Sequence, residues 1–162
     1  MVIAAAAQPA LFDALVVAHV ACAVVGFGAV AISGVYGGST RHTERPGTIE
    51  EAGRYFRSRA RAEWLVLAVP FLGLAALAAR RGPSELDQAW VVAAAGVWLL
   101  AAATLLCVVR PAERQLRTLL AGSEHRGAPG GIKVAGRQLM LAAAASDVLF
   151  VVALALMVNR PA

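Results

Sequence analysis

Three side chains able to transfer protons or ligate metals sit where charge is otherwise scarce. His19 and Cys22 fall in "HVACAVVGFGAV", within a run that carries no charge from Ala14 to Tyr36, and Asp147 falls in "AAAASDVLFVV". A carboxylate and an imidazole that share a proton could form a relay, and an ionisable group at bilayer depth usually faces a partner inside the bundle. His19 is the expected partner of Asp147, with hydrogen bonds to Ser33, Thr104, Ser146 or backbone carbonyls as the purely structural reading. His19 and Cys22 are three apart and share a helix face, which suits two ligands of a soft or borderline metal. A haem or copper ion would therefore have His19 and Cys22 as its candidate ligands. The other histidines, His42 and His125, lie in charged connecting stretches.

These residues need elements to hold them, and the composition names the medium. The chain has 162 residues, of which 59% are hydrophobic and 15% charged, against about 45–50% and about 25% in soluble domains. Four stretches are long enough for a hydrocarbon core of roughly 30 Å, which takes about 20 helical residues: residues 11–36, 62–79, 89–109 and 139–158. They are apolar all round, without the narrow stripe of a soluble amphipathic helix. The expected fold is all-α, a single four-helix transmembrane domain in an up-down-up-down bundle. No positive charge precedes Arg41, so the first stretch reads as a retained helix and not a cleaved signal peptide.

Fourteen arginines and Lys133 make up the 15 basic residues. Six lie between Arg41 and Arg61, two at Arg80 and Arg81, six between Arg110 and Arg137, and one at Arg160. Short cytoplasmic loops carry the excess of Lys and Arg, so the first and third loops are expected inside and both termini outside. The arginine and alanine usage suggests a bacterial source, hence a multi-pass protein of the plasma (inner) membrane. The same loops would attract anionic lipids. No aromatic platform or recognition motif accompanies the arginines, so no nucleic acid is expected as a partner.

Local signals refine the layout. Thr48 and Glu51 have capping-box spacing at the start of a helix leading into the second span. Trp64 and Trp90 are expected at the two headgroup levels, and Pro70 is expected to kink the second span by removing an amide donor. The third span is expected to run past Pro111 as an amphipathic helix. "RRGPSELDQ" reads as a tight connector and "AGSEHRGAPGG" as the most mobile loop. Two rows of small residues, Ala18, Cys22, Gly26 and Ala29, Ser33, Gly37, allow close helix packing within the bundle or between copies. Counting eight residues into each span places His19 and Asp147 within about 6 Å of one another in depth. Cys22 and Cys107 are expected near opposite ends of antiparallel helices, too far apart for a disulfide.

The ends of the chain carry a family pattern. "LVVAHVACAVVGFGAV" with "SGVYGG", and the closing "SDVLFVVALALMVNRP", resemble the small bacterial predicted integral membrane proteins catalogued as domain of unknown function twenty-two sixty-nine. His19, Gly26 and Gly28 correspond to that family's first-helix histidine and glycine turn, and Met157, Val158, Arg160 and Pro161 to its C-terminal motif. Phe27 separates the two glycines where the family pattern has a tryptophan before the pair, and Arg160 replaces a lysine. The resemblance implies four spans and no defined activity. A more distant likeness links the chain to copper-resistance membrane proteins. No nucleophile elbow, phosphate loop, zinc signature or paired carboxylates occur. The expected function is therefore a non-enzymatic accessory or scaffolding subunit, or a homo-oligomer, without a resident cofactor. The alternative is a transport or redox component in which His19 and Asp147 handle protons, metal or haem.

Overall fold

The structure, a computed structural model, describes residues 2–41, 47–58, 62–81, 89–122 and 129–159. Every described element is helical. Helix α1 (Val2–Ser39) is followed by α2 (Thr48–Ser58), a 3-10 turn (Ala62–Trp64), α3 (Leu65–Arg81), α4 (Ala89–Thr104), a π-helical turn (Leu105–Val109), α5 (Arg110–Gly122) and α6 (Pro129–Asn159). Four stretches are long and apolar enough to cross a membrane: Pro9–Ser39, Ala62–Ala79, Ala89–Ala121 and Gly130–Val158. His42, His125, residues 82–88 and 123–128, and the C-terminal Arg160 and Pro161 lie outside the described residues.

Lipid offers no hydrophobic drive for helix association, so close backbone approach must do that work. It does so along α1, which packs against both α3 and α6, while α4 packs against α6 and meets α3 only sparsely. A Cβ on Gly26 would come within 2.8 Å of the Val66 backbone nitrogen, and one on Gly34 within 2.5 Å of the Ala143 side chain. Only glycine lets α1 lie this close to α3 and α6. The two small-residue rows thus serve different neighbours: Gly26 meets α3, whereas Gly37 meets Leu139 and Gly136 of α6. Gly34, outside both rows, makes a further close α1–α6 approach.

The contacts also set a register. Phe27 stacks on Phe150 with ring centroids 4.6 Å apart, Gly34 meets Ala143, and Gly38 meets Met140. Residue numbers rise on α1 as they fall on α6, so the two run antiparallel.

Around the end of the bundle where α2 and α5 pack lies a dense core in which Leu105, Val109, Leu116, Ile132 and Leu139 are fully buried. The amphipathic α2 and α5 complete it with Ala52, Phe56, Ala112 and Leu120. The α2 start differs from the expected capping box. Gly47 takes a left-handed φ of 85°, and the Glu51 amide donates to the Gly47 carbonyl at 2.9 Å instead of to the Thr48 hydroxyl. The chain past Thr104 does continue as helix, through a π turn closed by the Arg110 amide on the Leu105 carbonyl, immediately before Pro111, which has no amide to donate. At this level Arg110 Nη2 lies 3.6 Å from Glu63 Oε1, both side chains largely buried. The Arg110 guanidinium also lies over the Trp64 ring, 3.8 Å from its centroid. That arrangement ties the start of α3 to the start of α5 and leaves Trp64 partly exposed.

Candidate functional site

Pro70 is the local origin of the site. A proline has no N–H, so the carbonyl four residues earlier loses its helical donor; here that carbonyl belongs to Val66. Trp98 of α4 supplies the replacement, its indole Nε1–H donating to Val66 O at 3.0 Å. One turn along α3, Gly73 has no side chain to cover the Val69 carbonyl, and the His19 ring lies there. His19 Nδ1 is 2.7 Å from Val69 O. A carbonyl can only accept, so Nδ1 carries the hydrogen and donates; in the neutral ring Nε2 then holds the lone pair. Backbone anchoring of one ring nitrogen fixes the tautomer and orientation of the other. The ring is wedged in place, because a Cβ on Gly73 would come within 2.9 Å of His19 Cε1 and 3.1 Å of Nδ1.

His19 does not meet Asp147. The Phe27–Phe150 stack puts Asp147 level with Val30 of α1, eleven residues from His19, or about 16 Å at 1.5 Å per residue. Among the described residues neither an ion pair nor a hydrogen bond joins them. The expected proximity failed because the first apolar run is longer than the bilayer core requires, so its two ends are not both boundaries. Depth counted from its outer end and depth counted on the fourth span from the inner end share no origin. Asp147 instead lies at the margin of the α6 face that meets α1, between buried Ser146 and exposed Val148. It is half-buried, with no hydrogen bond or ion pair among the described residues. Beside it Ser146 is buried, and its Oγ has no hydrogen-bond partner among the described residues. Ser33 donates to the Ala29 carbonyl of its own helix at 2.9 Å and approaches the Tyr55 hydroxyl at 3.4 Å. Thr104 likewise donates to Leu100 O within its helix.

What His19 does face is a cavity of about 610 Å³, inside the range of about 300–1,000 Å³ that small-molecule pockets occupy. Val16 and Val20 of α1, Leu74 and Leu77 of α3, Trp90 and Ala94 of α4, and Ala153 and Met157 of α6 line it, with Phe27, Trp98 and Phe150 towards the dense core. Among the described residues of this lining His19 is the only titratable one. Trp90, expected as a headgroup anchor, is part of the wall. The sparse contact between α3 and α4 leaves this wall the weakest closure, and lining residues such as Leu74 and Leu154 are about half exposed, at 45% and 50%. The bundle is therefore tightly packed on one side of the Phe27–Phe150 stack and hollow on the other.

Cys22 is half-buried with a free thiol and is not part of the cavity wall, so the cavity does not bring His19 and Cys22 together as ligands. Among the described residues no cluster of three or more His, Cys, Asp or Glu side chains could hold a metal ion. Trp98, Val69 and Gly73 are not among the residues whose type alone points to chemistry. The signal for them was present in Pro70, whose orphaned acceptor required a donor, and in an indole N–H at mid-span, which required an acceptor.

Four apolar helices around a half-filled core define a small polytopic membrane protein. Residues 13–161 match the family described as predicted integral membrane protein, DUF2269, and the chain belongs to that family. No curated protein and no solved structure matches it.

Proposed function

We propose that this chain is a non-enzymatic subunit of the bacterial plasma membrane that holds an apolar molecule, drawn from the bilayer, in the cavity beside His19. The carrying observation is the contrast within one bundle: a core of fully buried side chains at one end and a hollow of about 610 Å³ at the other. Side chains that leave such a hollow forgo dispersion contacts along its whole lining, and an occupant entering between α3 and α4 restores them. The alternation of basic loops supports an up-down-up-down path with both termini outside, which opens the cavity in the outer leaflet. Anionic headgroups would then meet the two arginine-rich inner loops. Native mass spectrometry of protein extracted from its own membranes tests the reading. The expected result is a non-covalent apolar adduct that disappears in Ala153→Phe, and an adduct-free wild type would refute it. A haem or copper ion on His19 is the competing occupant, visible as a Soret band or stoichiometric metal.

A second reading rests on Asp147. A carboxyl group at bilayer depth costs on the order of 2.5–3.5 kcal/mol on insertion scales and usually meets a partner, yet none stands beside it among the described residues. This favours contact with another subunit, of the same chain or of a larger complex. Loss of that association in Asp147→Leu, with the monomer still folded, is the expected outcome; an unchanged particle mass would remove the reading.

A further inference from the structure

Resting on the reading that the cavity holds a bilayer-derived molecule, we infer that its ligand class is a neutral isoprenoid quinol, bound in preference to the corresponding quinone. The preference follows from the hydrogen inventory of His19. Nδ1–H is committed to the Val69 carbonyl at 2.7 Å, so in the neutral ring Nε2 offers a lone pair and no hydrogen. No hydrogen bond from a described residue occupies Nε2. A ligand must therefore bring a donor to it. A quinol brings an O–H; a quinone brings only acceptors and would set oxygen lone pairs against the nitrogen lone pair.

The rest of the cavity narrows the class further. Apart from His19 its described lining is aliphatic and aromatic, so a phospholipid headgroup or bare cation would meet no described group that compensates its lost hydration. An acyl chain would fill space but leave Nε2 unmatched. A hydroxylated ring fits the aromatic end, where Phe27, Phe150 and Trp98 present ring surfaces that favour offset or edge stacking. Trp98 is itself oriented by its bond to Val66 O at 3.0 Å. The isoprenoid tail can leave between α3 and α4 into lipid, along the apolar Leu74 side of the wall.

The test uses the full chain in phosphatidylcholine nanodiscs, with decylubiquinol and decylubiquinone titrated separately under anaerobic conditions and tryptophan quenching as the signal. Two of the three tryptophans, Trp90 and Trp98, line the cavity. The quinol is expected to bind about tenfold more tightly, the worth of one hydrogen bond that the quinone cannot make. His19→Phe should bring the two ligands within about twofold, and Ala153→Phe should abolish both. If the phenylalanine variant does not fold, His19→Gln, which offers donor and acceptor alike, should also lose the discrimination. Equal affinities in the wild type, or a preference that survives in the His19 variants, overturns the inference. Should neither compound quench while a nitroxide-labelled acyl chain does, and does so only with Ala153 unaltered, the quinol assignment fails and the bilayer-ligand reading stands. Quenching by none of the three removes both.

Discussion

Replacing Gly73 by alanine puts a single methyl group where the site has least room. The added Cβ would come within 2.9 Å of His19 Cε1 and 3.1 Å of Nδ1, closer than carbon and nitrogen tolerate. The ring has to shift, and its bond to Val69 O goes with it. Overpacking of this kind costs about 1–3 kcal/mol, and an imidazole N–H left without its acceptor about 1–3 kcal/mol more. Alanine returns about 1 kcal/mol as the better helix former. The net expectation is a loss of about 1–5 kcal/mol, and with about 2–4 °C per kcal/mol at this chain length the midpoint falls by about 2–20 °C. Thermal unfolding in detergent, followed by tryptophan fluorescence, measures it. Gly96→Ala on α4 is the control, since a Cβ there meets nothing within 4 Å; it should leave the midpoint unchanged or raise it. If both alanine variants raise the midpoint alike, the His19 ring does not rest on Gly73 and the account of the site fails.

Other variants probe the remaining contacts. His19→Leu and Asp147→Leu, about 16 Å apart along the bundle, should be additive in stability within about 0.5 kcal/mol; a larger coupling in the double-variant cycle would place the two in contact. Trp98→Phe should cost about 1–3 kcal/mol because it strands the Val66 carbonyl, and the loss should shrink when Pro70→Ala restores an amide to that carbonyl. Equal losses with and without the proline would deny that Trp98 substitutes for the missing donor. Gly34→Val should weaken the α1–α6 seam, where even a Cβ meets Ala143 at 2.5 Å, and Ala143→Gly should recover part of the loss in thermal midpoint. Cysteines introduced at Thr43 and Ser123 should be shielded from an impermeant thiol reagent in intact cells while one at Ser84 labels; the three positions lie outside the described residues. The reverse pattern would turn the bundle over.

The membrane-spanning helices were legible because each is a long uninterrupted apolar run, and the helical extension past Pro111 because its leucines recur at helical spacing. Depth was not legible. An apolar run longer than the bilayer core has no marked boundary, and only the α1–α6 register, set by Phe27, Gly34 and Gly38, separates His19 from Asp147. The partner of His19 was hidden for a different reason: a backbone carbonyl has no signature in sequence. Val69 becomes available only because Gly73 uncovers it and Gly26 brings α1 close enough to reach it. The cavity was hidden too, since its lining has the same residue types as the packed core and differs only in how far apart α3 and α4 stand.

The orientation of His19 can be measured without reference to any ligand. In a His42→Gln and His125→Gln background His19 is the only histidine, and the nitrogen spectrum of histidine-labelled protein in lipid reports which ring nitrogen carries hydrogen. The account predicts a protonated Nδ1 and a bare Nε2, with the distinction lost in Gly73→Ala. A ring protonated at Nε2 and bare at Nδ1 would contradict it, because the Val69 carbonyl could not then accept from His19 and no fixed lone pair would face the cavity.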